Sequence, residues 1–108
     1  MSMNNWLLYQ EGMTIGTKTS LGDEILMDEV HTDGARLTIK RNSKYISVSC
    51  NINKWINHTR FFNTVRDAKR EYIAMKPVLV DITDLLKTPQ INELKVWEAI
   101  SNFVTRFP

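Results

Sequence analysis

From Gly34 onward the apolar positions alternate with polar ones in three runs separated by turn-forming residues, and a helical period then replaces the alternation. Arg41-Asn42-Ser43-Lys44 reads as a two-residue hairpin connection. That closure sets Ile39 against Ile46, Leu37 against Val48 and Ala35 against Cys50, six apolar residues on one face. Lys40 with Tyr45, Thr38 with Ser47 and Arg36 with Ser49 fall on the other face, the pattern of an antiparallel pair buried on one side. A one-residue slip would exchange the faces, so the pattern itself defends the register.

Asp33-Gly34 is a strong hairpin signal that joins this pair to an earlier strand over 24–32. It places Val30 opposite Leu37. It also places Asp28 opposite Ile39 on the apolar side, a conflict that predicts a bulge or an early end to pairing. Asn53-Lys54 closes a third hairpin into a strand over 55–62, with Trp55 and Phe61 toward the core and His58, Arg60 and Phe62 on the outer face. A loop one residue longer reverses that assignment. Before these, Trp6-Leu7-Leu8-Tyr9 reads as a short strand, and Gly12, Gly16 and Gly22 read as turns.

The helical stretch starts at Thr64, whose hydroxyl can cap the first turn, with Asp67 three residues on as a variant of the capping box. Val65, Ala68, Tyr72 and Met75 form one stripe, continued by Leu79, Ile82 and Leu86. Pro77 predicts a kink or break between the two halves. Thr88-Pro89 resembles a cap with proline at the first helical position. Ile91, Leu94, Trp97, Ile100 or Ser101, Val104 and Phe107 then give a final helix a broad apolar side, for the core or for docking. The expected architecture is a single α+β domain over 1–108: an antiparallel meander of at least four strands, a helix packed on one face and a C-terminal helix.

With 108 residues, 43% hydrophobic and 24% charged, the chain is long enough to bury its own core. The net charge of +2 conceals a division. Residues 1–32 carry a net charge of −4, residues 33–76 a net +7 and residues 77–108 a net −1. A basic middle beside an acidic start signals either a polar partner or internal pairing of the two segments. Cys50, the only cysteine, sits on the inferred apolar face, which reads as a buried small hydrophobe in a cytoplasmic chain. The start lacks a basic region followed by an apolar run, and no segment reaches the ~18 apolar residues of a membrane span.

The chemistry this pattern offers is sparse. His31 and His58 are the only histidines and have no second ligand at a metal-binding spacing, so no metal or cofactor is expected. His31 reads as a surface residue beside a turn. The predicted outer face groups His58 with Ser47, Ser49, Arg36 and Arg60, but without a positioned carboxylate or an implied cleft, and the chain reads as a non-enzyme. The same face reads more naturally as a binding surface: Arg36, Lys40 and Arg60 bring charge, Tyr45 and Phe62 flat apolar contact, His58 and the serines hydrogen bonding. It suits a protein, for which such residues are favoured anchors, or single-stranded nucleic acid. Asp23, Glu24, Asp28 and Glu29 form an acidic edge suited to a basic partner.

The run Gly34-Ala35-Arg36-Leu37-Thr38-Ile39, then Tyr45 to Cys50, His58-Thr59-Arg60-Phe61-Phe62, and Ala68, Tyr72, Met75 and Lys76 resembles small bacterial immunity proteins of contact-dependent growth inhibition and other polymorphic toxin systems. The resemblance covers residues 24–76 and carries no site residues with it. It implies a cytoplasmic protein that binds one cognate toxin, expected to be a nuclease, and blocks it. A nucleic-acid-binding protein using the basic outer face is the alternative.

Overall fold

The computed structural model describes residues 5–108. Five antiparallel strands follow one another as a meander: β1 (Trp6–Leu8), β2 (Glu24–His31), β3 (Arg36–Arg41), β4 (Ile46–Ile52) and β5 (Ile56–Phe62). Two helices come after them, α1 (Val65–Leu86) and α2 (Glu93–Arg106). The architecture is the expected α+β meander. α1 lies across β3, β4 and β5, and α2 packs on α1.

The turns set the strand registers, and all three differ from those expected. Asn42 accepts the amide protons of Lys44 (2.8 Å) and Tyr45 (2.9 Å) on its side-chain oxygen, and its own amide donates to the Tyr45 carbonyl (3.1 Å). This side-chain turn makes the β3–β4 loop four residues long, and Arg41 pairs with Ile46, Ile39 with Val48 and Leu37 with Cys50. The register is displaced by two, so every side chain keeps its expected face.

The other two loops contain three residues each, with one residue at positive φ: Gly34, the last of its loop, at φ 104° and Lys54, the middle one, at φ 70°. Here the displacement is one residue, and the faces exchange. Asp28 pairs with Thr38 and Glu29 with Leu37, so Asp28 stands on the outer face and the conflict with the apolar side does not arise. The irregularity in pairing sits between Ile25 and Met27, at Leu26, two residues before Asp28, the predicted place. Cys50 pairs with His58, Val48 with Arg60 and Ile46 with Phe62, which turns His58, Arg60 and Phe62 toward the helices and Phe61 toward solvent. Trp55 falls in the loop, half-buried, with its ring 5.0 Å from that of Trp97 on α2.

The core lies between the sheet and α1. Leu37, Ile39, Val48 and Cys50 meet Ala68, Tyr72, Met75, Leu79 and Ile82, all of them buried, and each large aliphatic side chain contributes roughly 1.5–3 kcal/mol by leaving water. The Thr64 cap forms as expected, its hydroxyl accepting the Asp67 amide at 3.1 Å. Pro77 does not break α1. Its missing bond falls on the exposed side, at the carbonyl of Ile73, which water can reach, while Met75, Leu79 and Ile82 hold the inner side against the sheet.

α2 starts later than Thr88-Pro89 suggests. Asn92 caps it by accepting the Lys95 amide (3.2 Å), while the Thr88 hydroxyl donates to the Leu85 carbonyl at the end of α1. Its buried side is Val96, Ile100, Phe103 and, just beyond the helix, Phe107. Ile91, Leu94, Trp97 and Val104 are exposed, so only Ile100 and Phe107 of the expected stripe enter the core. No helix among the described residues is long and apolar enough to cross a membrane.

Candidate functional site

The two faces of the sheet have different fates. The inner face is closed by the helices, and the polar groups that the one-residue register changes bring there are consumed in holding them. Arg60 binds Glu71 of α1 and stands 5.3 Å from the Phe62 ring. His58 meets the Phe107 carbonyl through Nε2 and lies edge-on to Phe103. Glu29 accepts the Tyr72 hydroxyl (2.6 Å) and the Lys76 ammonium (2.7 Å). His31 is buried, not a surface residue: Nδ1 accepts the Asp33 amide at 3.1 Å, and the ring sits edge-on to Trp6.

The strand register also explains two protonation states. Burial, reinforced by the hydrogen bond to Glu29, pushes the Tyr72 hydroxyl well above the usual tyrosine range. Burial likewise pushes the Cys50 thiol up to about 12, so it is held as a neutral small hydrophobe and not as a thiolate nucleophile.

The outer face is built from three rows of side chains crossing the strands: Ile25, Lys40, Ser47 and Phe61; Asp28, Thr38, Ser49 and Thr59; Val30, Arg36, Asn51 and Asn57. Residues 9–22 form a strap over the β2 side of this face. Its turn holds Gln10, Glu11 and Gly12 in succession at φ 47°, 58° and 85°, and the non-glycine residues there cost about 1–2 kcal/mol each. Further on, the Gly16 amide donates to the Ile25 carbonyl (2.7 Å), and Ile25 donates back to Thr17 (2.9 Å).

Asp28 fastens the strap to the sheet. It is fully buried and takes four hydrogen bonds: Arg36 Nε (2.9 Å), Arg36 Nη2 (2.7 Å), Thr38 (3.1 Å) and Thr14 of the strap (2.9 Å). The Tyr9 ring stacks on the Arg36 guanidinium, 3.7 Å from its centroid. The hydrogen bond to Asp28 is the main reason that Arg36 holds its proton more tightly than a free arginine.

Between the strap and the free edge of β5 lies an open trough of about 400 Å³, lined by residues that include Thr19, Arg36, Thr38, Lys40, Asn51 and Asn57. Lys40 is half-buried there, and no carboxylate among the described residues lies within ion-pair distance of it. At one end of its row Phe61, 62% exposed, meets Tyr45 edge-on with ring centroids 4.9 Å apart. No group of three or more His, Cys, Asp or Glu placed to hold a metal occurs among the described residues.

Of the ten residues the sequence singles out, only Arg36, Lys40 and Tyr45 stand together where a partner can reach them. The four acids are engaged internally, Asp23 with Asn42 (3.1 Å), Glu24 with Arg41 (2.9 Å), Asp28 with Arg36, and Glu29 with Lys76 and Tyr72. Three of the four pair with bases of the middle segment, so the acidic edge is engaged within the chain and is not a free surface. His58, Arg60 and Phe62 belong to the inner face, and Phe61 takes the outer position expected of Phe62. The signal for Phe61 was its place in the same alternation, read one residue out of phase.

Comparison with protein-family models, with curated proteins and with solved structures returns no match to this chain.

Proposed function

We propose that the chain acts by binding, as an immunity protein that neutralises one cognate bacterial toxin through a direct complex made by the outer face of its sheet. The observation that carries this reading is the exposed Tyr45–Phe61 pair beside Lys40, set on a sheet whose other face is packed against α1. Aromatic and cationic side chains on a pre-ordered surface are the usual anchors of protein interfaces, because they bury large areas at small entropic cost. The resemblance over residues 24–76 supplies the toxin class. Among the described residues, the three rows of the outer face carry one carboxylate, Asp28, with both oxygens committed, and no imidazole to act as acid or base.

The same aromatic pair and the cations beside it favour a second reading, a single strand of nucleic acid stacked on the rings with its phosphates at Lys40 and Arg36.

The test is capture of the toxin from the source cell by the tagged chain, and by a Tyr45→Ala, Phe61→Ala variant whose circular dichroism matches the parent. Each anchor is expected to contribute about 2 kcal/mol, roughly thirtyfold in Kd. Undiminished capture by the variant overturns the face assignment.

A further inference from the structure

The structure points to a specific chemical role for the trough, and we infer that Lys40 and Arg36 form a docking site for a carboxylate on an acidic segment of the polypeptide partner. This deepens the partner-binding reading and rests on it.

Arg36 is already oriented. Asp28 holds Nε and Nη2, Tyr9 holds the flat side, and Nη1 has no acceptor among the described residues. Lys40 lines the same trough half-buried, and its charge has no carboxylate within ion-pair distance among the described residues. A carboxylate entering the trough that both cations line gains charge-assisted hydrogen bonds there, with Arg36 spending little entropy because it is fixed in advance.

The charge balance separates the two kinds of polyanion. Lys40, Arg36 and Asp28 together carry one net positive charge, which a single carboxylate satisfies. A nucleic-acid strand brings a phosphate with every nucleotide and binds along a row of cations. The other lining residues are neutral, and of these the exposed Asn51 and Asn57 offer donors and acceptors suited to peptide main chain, while Thr38 and Ser49 are engaged with Asp28 and Thr59. Tyr45 and Phe61 add an apolar contact at one end, so the segment that fits is an acidic residue with an apolar neighbour.

The experiment is an amide-resolved NMR titration of the folded chain with octaglutamate and, separately, with oligothymidylate of the same length. Octaglutamate is expected to move the amides of Thr38, Lys40, Asn51 and Asn57. Lys40→Glu and Asn57→Asp, both at positions outside the core, should each weaken it roughly tenfold, the scale of one charge-assisted hydrogen bond. The inference is overturned if those amides stay in place, if both variants bind as the parent does, or if oligothymidylate binds the same amides more tightly. Failure with octaglutamate, while the Tyr45→Ala, Phe61→Ala change still releases a captured polypeptide, removes the carboxylate site and leaves the partner-binding reading intact. Success with octaglutamate and no polypeptide that depends on the aromatic pair does the reverse.

Discussion

Arg36 and Asp28 face each other on the outer side of the sheet in a two-point contact, Nε to Oδ1 at 2.9 Å and Nη2 to Oδ2 at 2.7 Å. The carboxylate is wholly enclosed, while the Arg36 side chain as a whole keeps 37% of its surface in water. Asp28→Ala would leave the arginine without its partner and release the strap at Thr14. The expected loss is about 2–4 kcal/mol, below the full figure for an enclosed pair because Arg36 is partly hydrated. Urea denaturation checks this, and a loss under about 0.5 kcal/mol, the scale of an ordinary surface change, contradicts it.

How much of this was legible in the sequence depended on loop parity. The β3–β4 loop is longer than expected by two residues, so Leu37, Ile39, Val48 and Cys50 kept the core positions that the alternation assigned. The loops at Gly34 and Lys54 differ by one residue in effect, and that moved Asp28, His58 and Arg60 to the faces opposite those expected. A left-handed lysine leaves no mark in a sequence, whereas Asp-Gly announces a turn without fixing its length. The helical stripe of α1 was legible because burial repeats over six turns. Leu94, Trp97 and Val104 were not separable from the core side of α2, since apolar residues occur on both sides of that helix. The strap's hold on Asp28 depends on tertiary contacts between residues 14, 28 and 36, which no local pattern encodes.

Lys54 at φ 70° carries backbone strain that glycine would not. Lys54→Gly is expected to stabilise the chain by about 0.5–1 kcal/mol, the left-handed penalty of roughly 1–2 kcal/mol less the greater freedom of glycine when unfolded. Lys54→Val should do the opposite, because a β-branched residue tolerates positive φ worst. Thermal melts of both variants check the pair, and a stabilising valine would contradict the three-residue loop.

Alkaline stability follows from Cys50 and Tyr72. Burial raises both groups above their unfolded values, so the folded chain retains protons that the unfolded chain releases. Their contribution is fully present below the ordinary thiol value of 9.0 and is lost as pH rises through the value of about 12 for Cys50, with Tyr72 adding its share from 10.0 upward. The melting temperature should therefore fall over that interval. Cys50→Ala should flatten the first part of the fall, and an unchanged pH profile in that variant contradicts the assignment.

The claim that the outer face binds a polypeptide is tested most directly by the salt dependence of what the purified chain retains from the source cell. An interface anchored on Tyr45 and Phe61 should hold one polypeptide through moderate salt, with affinity concentrated in those two residues and Lys40. The contrary result is micromolar binding of a random oligonucleotide that weakens with a log–log salt slope of about 0.7 per neutralised phosphate, with no polypeptide retained.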